Sequence, residues 1–82
     1  MTMSVKIRYF ALLKDVVGHS EESLLVPTGS TAGDLYLRLA EKYAFPLALT
    51  DVRVAVNDEF TTASHPLKAN DFIVFIPPVA GG

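Results

Sequence analysis

The last six residues are of types that suit a reaction at the C-terminal carboxylate. Pro77 and Pro78 follow an apolar segment, and Val79-Ala80 and Gly81-Gly82 come after them. The prolines favour an extended tail that leaves a sheet, and the glycines, which lack side chains, can pass through a narrow channel into another protein's active site. We therefore expect the working group to be the carboxylate of Gly82, activated first as an acyl-adenylate because a carboxylate is a poor electrophile. The alternative is an inert, frayed end.

The other polar residues indicate little conventional chemistry. His19 and His65 are the only imidazoles, and neither has further metal ligands or catalytic partners beside it in the sequence, so we interpret both as structural or exposed. The adjacent acidic pairs Glu21-Glu22 and Asp58-Glu59 point to opposite faces of an extended chain and do not predict an acid–base pair. No glycine pattern predicts a phosphate loop. We expect a protein that is not an enzyme, with no metal site and no bound cofactor.

Composition narrows the class of protein. The chain has 82 residues, 50% of them hydrophobic, no cysteine and a formal net charge of −2. This length predicts a single domain, and the lack of cysteine excludes disulfides, thiolate metal sites and a cysteine nucleophile. A pI near 5.5 argues against nucleic-acid binding, and no apolar run reaches the roughly 18 residues of a membrane span. We expect a small cytoplasmic domain that binds neither nucleic acid nor membrane, without a signal peptide.

Hydrophobic periodicity predicts the elements that must position the tail. A short helix of two turns is predicted over residues 10–17, and Gly18 ends it. The main helix begins with a capping box of Thr31 and Asp34 and ends at Pro46. Met1-Thr2-Met3 is predicted to be a frayed extension. Five segments have the alternating or continuous apolar character of strands: 5–9, 22–26, 53–57, 60–62 and 72–76.

This order of elements predicts an α+β fold of two layers, with one main helix packed across a mixed four- or five-stranded sheet. The continuous apolar run 72–76 favours a central strand, parallel to the first strand and beside it. The arrangement resembles the ubiquitin-like β-grasp. We expect residues 1–76 to form the domain and 77–82 to form an extended tail.

The sequence also resembles the small, sulfur-carrying subunit of molybdopterin synthase, nearly from end to end. The terminal Pro-Pro-Val-x-Gly-Gly pattern is the specific part of the resemblance. The other matching segments are 5–11 with the short helix up to Gly18, 27–31, 55–57, 65–67, 70–71 and 75–76.

The resemblance implies a carrier and not a catalyst. In this family an ATP-dependent activating enzyme adenylates the carboxylate of the last glycine, here Gly82, and sulfur is installed to give a thiocarboxylate. The tail, here Pro77 to Gly82, enters the large synthase subunit, where the sulfur passes to cyclic pyranopterin monophosphate. The family's complex contains two small and two large subunits. ATP is used by the activating enzyme and is not a bound cofactor of the carrier.

Partner binding needs exposed apolar surface. By resemblance, Phe10, Phe60 and Ile76 lie where the family presents its docking surface, and strand parity places Phe72, Val74 and Ile76 on the outer face. The alternative is that these side chains complete a small core. Arg8 lies on the same outer face, where an apolar residue is expected.

Three other functions remain open. Sulfur carriers of thiamine biosynthesis also end in two glycines on a β-grasp, although Pro77-Pro78 and the 70–72 segment favour the molybdopterin member. A ubiquitin-like modifier would end as an amide on target lysines. A plain interaction domain would have an inert tail.

Overall fold

This computed structural model describes residues 1–78, in which strands and helices alternate as far as the main helix and three strands follow a short 3-10 turn. The predicted tail residues Val79, Ala80, Gly81 and Gly82 lie outside the described residues. The elements in chain order are β1 Thr2–Tyr9, α1 Ala11–Val17, β2 Glu21–Pro27, α2 Ala32–Tyr43, a 3-10 turn Leu49–Asp51, β3 Arg53–Val56, β4 Glu59–Thr61 and β5 Phe72–Ile76.

The strands form one sheet in the order β2-β1-β5-β3-β4. β5 is central, and it pairs in parallel with β1 and antiparallel with β3. The remaining pairs, β1–β2 and β3–β4, are antiparallel. The predicted mixed sheet and the predicted position of the last strand beside the first are both confirmed. A central strand has neighbours on both edges, and its tightly packed surroundings explain the continuous apolar sequence of β5.

The core lies between the sheet and α2. Val5, Ile7 and Tyr9 of β1 are buried on this side, as their alternation predicts, and Ile73 and Phe75 of β5 lie beside Ile7 and Tyr9 in register. Each large apolar side chain buried in this way contributes about 1.5–3 kcal/mol. The apolar stripe of α2 covers them and consists of Ala32, Leu35, Tyr36 and Leu39.

The two ends of α2 differ in how well the sequence predicts them. The capping box is present: the Asp34 N–H donates to Thr31 Oγ1 at 3.1 Å, and the Thr31 N–H donates to the Asp34 carboxylate at 3.0 Å. The helix ends at Tyr43, before the predicted stop at Pro46, because Ala44 adopts a left-handed conformation with φ 55°. This early end turns the Phe45 ring back toward the core.

The predicted frayed extension at residues 1–3 is wrong. β1 begins at Thr2, where it pairs with Pro27, and Met3 lies opposite Val26. The Thr28 N–H also donates to the Met1 carbonyl at 2.9 Å. The backbone hydrogen bonds of β2 extend along this segment and therefore order it.

A group of hydrogen bonds around Asp71 and Asn57 holds the start of β5 against the turn between β3 and β4. Asp71 is only 8% exposed, and it accepts hydrogen bonds from Asn57 Nδ2 at 2.9 Å and from the Lys68 N–H at 2.8 Å. The Phe72 N–H donates to Asn57 Oδ1 at 3.0 Å. Asn57 has a positive φ of 52°, as two-residue hairpin turns require. These hydrogen bonds fix the register of β5, the strand that precedes the predicted tail.

Candidate functional site

Pro77 and Pro78, which we call the root of the predicted tail, border an apolar groove of about 630 Å³. β5 ends at Ile76, Pro77 is buried, and Pro78 is exposed. Since proline has no N–H to donate, the sheet ladder stops at this point. The groove is lined by Phe10, Ala11, Leu12, Leu47, Ile76, Pro77 and Pro78. The structure therefore brings two of the predicted docking residues, Phe10 and Ile76, to the same groove at the root of the tail.

The third predicted docking residue, Phe60, lies on the same face of the sheet but outside this groove. Its position opposite Ala55, which is itself opposite Val74, places it on the side of the sheet away from α2. Phe60 is 67% exposed and Phe10 is 40% exposed, whereas Ile76 is half-buried. The two phenylalanines are the most accessible apolar groups of the three. We call the side of the sheet away from α2, where these residues lie, the outer face.

Two side chains in the middle of the outer face expose little area. Val74 points away from the core, as its parity predicts, yet it is only 8% exposed, and Ala55 beside it is also 8% exposed. Longer side chains on the neighbouring strands flank these two small residues on both sides and shield them from solvent. Direction along a strand therefore follows from the sequence, but accessibility also depends on the neighbouring strands.

Two arginines occupy the outer face together with the apolar residues. Arg8 is opposite Val74, and Arg53 is opposite Ile76. The Arg8 guanidinium carbon lies 5.3 Å from the centre of the Phe10 ring, and that of Arg53 lies 5.8 Å from the centre of the Phe60 ring. The predicted outward position of Arg8 is confirmed, whereas the similar position of Arg53 was not predicted.

Sequence reasoning also missed a polar cluster centred on Glu22. The Tyr9 and Tyr43 hydroxyls donate to Glu22 Oε2 at 2.6 and 2.8 Å, and His19 Nε2 lies 3.6 Å from the same oxygen. The signal was available: Glu22 shares the core-facing parity of Leu24 and Val26, where a charged residue needs partners. We call Tyr9, Glu22 and Tyr43 the carboxylate cluster.

The electrostatics of the carboxylate cluster favour the ionised form of Glu22. Burial by itself raises the pKa of Glu22, but the hydrogen bonds from Tyr9 and Tyr43 outweigh it, and nearby Lys42 and His19 add to their effect. The pKa of Glu22 is therefore lowered. Burial raises the pKa of the Tyr9 hydroxyl, and the hydrogen bond to Glu22 raises it further. Both tyrosines remain protonated donors, so the cluster stabilises the fold and does not have the form of an acid–base pair.

The remaining predicted groups do not converge on a second site. His65 lies in the loop before β5, far in sequence from His19, and its backbone N–H bonds the Thr62 carbonyl. Within residues 1–78, no three His, Asp or Glu side chains are placed to hold a metal ion. None of the helices described has the length and apolar character needed to cross a bilayer.

Comparisons with known proteins add family and fold. The ThiS family matches residues 7–82. A molybdopterin synthase sulfur carrier subunit from Arabidopsis thaliana is 33% identical over 85 residues, covering 99% of this chain and 85% of the relative. SAMP1 from Haloferax volcanii superposes with a TM-score of 0.81 at 25% identity, covering 96% of this chain and 99% of that protein.

A fourth similarity concerns a complex. The structure of subunits 1 and 2 of the molybdopterin-converting factor from Helicobacter pylori contains a chain that is 31% identical to this one. The match covers 98% of this chain and all of that chain, with a TM-score of 0.63. The chain therefore belongs to the ThiS family, has the ubiquitin-like β-grasp fold, and is similar over nearly its whole length to molybdopterin synthase sulfur carrier subunits.

Proposed function

We propose that this chain is the sulfur carrier of a molybdopterin synthase and acts in molybdenum cofactor biosynthesis. One observation supports this role above the others: the ThiS family match runs to residue 82 and so includes the two glycines. The 33% identity to a molybdopterin synthase sulfur carrier subunit favours this pathway within the family. In this role the chain supplies a reactive group and docking surface, and its partners supply the catalytic groups.

The proposed chemistry takes place at the carboxylate of Gly82. A carboxylate oxygen attacks the α-phosphorus of ATP in an activating enzyme, which releases pyrophosphate and forms a mixed anhydride. A hydrosulfide ion, supplied by a sulfur donor, then attacks the carbonyl carbon, AMP leaves with the electrons of the broken C–O bond, and the thiocarboxylic acid loses its proton. The resulting thiocarboxylate donates its sulfur to cyclic pyranopterin monophosphate in the large subunit. Two glycines at this point allow close approach to two different enzymes.

The outer face is proposed to dock on the large subunit, as part of an assembly of two small and two large subunits. Phe60 supports this assignment most directly, because it exposes 67% of its surface with no role in the core. Removing such an aromatic ring from water contributes about 1.5–3 kcal/mol, and aromatic residues are common anchors at interfaces. Phe10 and Ile76 place the same kind of surface beside the root of the tail, so docking and tail insertion can occur together.

Intact-mass analysis tests the carrier role directly. The protein is incubated with its activating enzyme, ATP and a sulfur donor, and we expect a product in which one oxygen at Gly82 is replaced by sulfur. A variant lacking Gly82 and a variant with one added residue are the controls, and both should stay unmodified while retaining the fold. Failure to form the sulfur product with any of several activating enzymes would refute the carrier role.

A protein modifier is the second candidate, and the similarity to SAMP1 favours it, since that protein is also described as a small archaeal modifier protein. Activation is shared by both candidates, but the nucleophile differs: a lysine amine replaces sulfur and forms an amide. A ladder of lysine conjugates dependent on Gly82 would support this candidate.

Complementation of a molybdenum-cofactor mutant, compared with complementation of a thiamine auxotroph, distinguishes the two sulfur-carrier pathways.

A further inference from the structure

The outer face carries two arginines that the proposed docking does not explain; Lys6 is a third cation on the same side of β1. Arg8 of β1 and Arg53 of β3 are both exposed, and they border β5 on its two sides. Within residues 1–78, neither guanidinium lies within 4.0 Å of a carboxylate oxygen, since the ion pair found in this part of the chain joins His19 and Glu22. The apolar surface of the outer face is thus bordered by two guanidinium charges that form no ion pair in the described part of the chain, although Glu21 lies opposite Arg8 on β2.

Each guanidinium is held against a ring that belongs to the proposed docking surface. Arg8 lies over Phe10 and Arg53 lies over Phe60, at 5.3 and 5.8 Å from the ring centres. A cation over a ring face is attracted to the ring, but the N–H donors of a guanidinium lie in its own plane and are not used by that contact. Both side chains are therefore positioned beside the rings with donors still available.

A partner that covers the two rings must also cover the two cations. Taking a guanidinium out of water without an acceptor costs more than the burial of one neighbouring apolar side chain returns. A carboxylate removes this penalty best, because its two oxygens match the fork of N–H groups on arginine. The chain as a whole does not favour an acidic partner, because its formal net charge is −2. Any attraction of this kind must be local to the outer face.

We propose that the surface of the large subunit that covers the outer face carries two carboxylates, one opposite Arg8 and one opposite Arg53; this inference rests on the proposed function. The sheet register fixes the distance between the two arginines, and the facing carboxylates must match that distance. Arg8 and Arg53 are two strands apart, and Arg53 lies opposite Ile76 whereas Arg8 lies opposite Val74, two residues earlier on β5. Strand spacing and rise per residue then separate the two Cα atoms by about 12 Å. The two arginines therefore discriminate against large subunits whose docking surface lacks the two carboxylates.

Charge reversal tests the inference with the full-length protein and the large subunit from the same organism. We expect R8E and R53E each to weaken binding about tenfold or more, and the double variant about 100-fold. R38E is the matched control: it makes the same change of charge on α2, on the opposite side of the sheet, and should alter binding by less than about twofold. R8Q and R53Q, which remove charge without adding repulsion, should fall between the wild type and the reversed variants.

Ionic strength and partner variants provide two further readouts. The association rate of the wild type should fall more steeply with added salt than that of R8E/R53E. An acidic-to-lysine change at the facing position of the large subunit should restore binding of R8E. Circular dichroism should show that all these variants are folded, because both arginines are exposed.

The outcomes for the inference and for the proposed function are distinguishable. If the wild type binds and F60A binds more weakly, but R8E/R53E binds like the wild type, the acidic pair is refuted and the docking face stands. If the wild type does not bind the large subunit at all, the proposed function fails and the acidic pair fails with it. Loss of binding in R38E equal to that in R8E/R53E would indicate a general effect of net charge and would also overturn the inference.

Discussion

Tyr9→Phe removes one oxygen atom from the carboxylate cluster and leaves the ring in place. Tyr9 is 1% exposed, and its hydroxyl donates to Glu22 at 2.6 Å. A hydrogen bond to a charged group contributes about 1.5–3 kcal/mol, so we expect the free energy of unfolding to fall by about 2 kcal/mol at pH 7. For a domain of this length each kcal/mol shifts Tm by about 4–8 °C, which predicts a decrease of about 8–16 °C.

Tyr43→Phe is the matched control, because it removes a second hydroxyl from the same oxygen of Glu22. The distance is 2.8 Å, and Tyr43 is half-buried, so water can replace part of the lost bond. We expect a loss of about 1 kcal/mol. The double variant should lose more than the sum of the two single variants, since Glu22 then keeps neither donor.

The pH dependence identifies the charged acceptor. The pKa of Glu22 is below its ordinary value of 4.5 in the folded protein. Its contribution to stability is therefore present above pH 4.5 and is lost as the pH falls through the lower, folded pKa. Urea denaturation followed by far-UV circular dichroism should show a smaller difference between wild type and Tyr9→Phe at pH 3 than at pH 7. An equal loss at both values, or a loss under about 0.5 kcal/mol at pH 7, would refute the reasoning.

Three further variants test separate elements by the same denaturation measurement. Thr31→Ala removes the capping box of α2 and should cost about 1 kcal/mol; no loss would mean that the cap is dispensable. Gly33→Ala should destabilise by about 1–3 kcal/mol despite the better helix propensity of alanine, because the new Cβ would lie 3.0 Å from the Ala63 carbonyl oxygen; a gain in stability would contradict this. Asn57→Ala should cost about 1 kcal/mol more than Asn57→Gly, because glycine tolerates the positive φ without strain and alanine does not, and equal losses would assign the whole effect to the hydrogen bonds with Asp71 and Phe72.

The sequence predicts which face each strand residue occupies but not which distant residues meet. Alternation places Tyr9 in the core and Arg8 outside, and both positions are confirmed. The contact between Tyr43 and Glu22 joins residues 21 positions apart in two different elements. The contact depends on where α2 ends. The left-handed conformation of Ala44 ends the helix earlier than the end predicted from Pro46. Local patterns carry no information about such a contact.

The candidate site was predictable in the same uneven way. Family resemblance predicts Phe10, Phe60 and Ile76 as docking residues, and this stays a prediction; the fold places all three on the side of the sheet away from the core or at its rim. Arg53 was missed because the three residues after it, Val54, Ala55 and Val56, are all apolar and all buried, so the sequence of this strand does not show which of its two faces is turned toward the core. Its neighbour across the sheet, Ile76, is identified only by the register between β3 and β5.

Tyr9 and Phe10 are adjacent in the chain but serve different parts of the molecule. The Tyr9 hydroxyl holds the end of β1 against β2 and α2, whereas Phe10 borders the groove at the root of the tail. The carboxylate cluster therefore supports the position of the outer face without being part of it. It follows that Tyr9→Phe should lower stability but leave the affinity for the large subunit unchanged under conditions where the variant is fully folded. Phe60→Ala should do the opposite, since its side chain is largely exposed and contributes little to the core. If both variants lost stability and affinity in proportion, the separation between core and docking face would not hold.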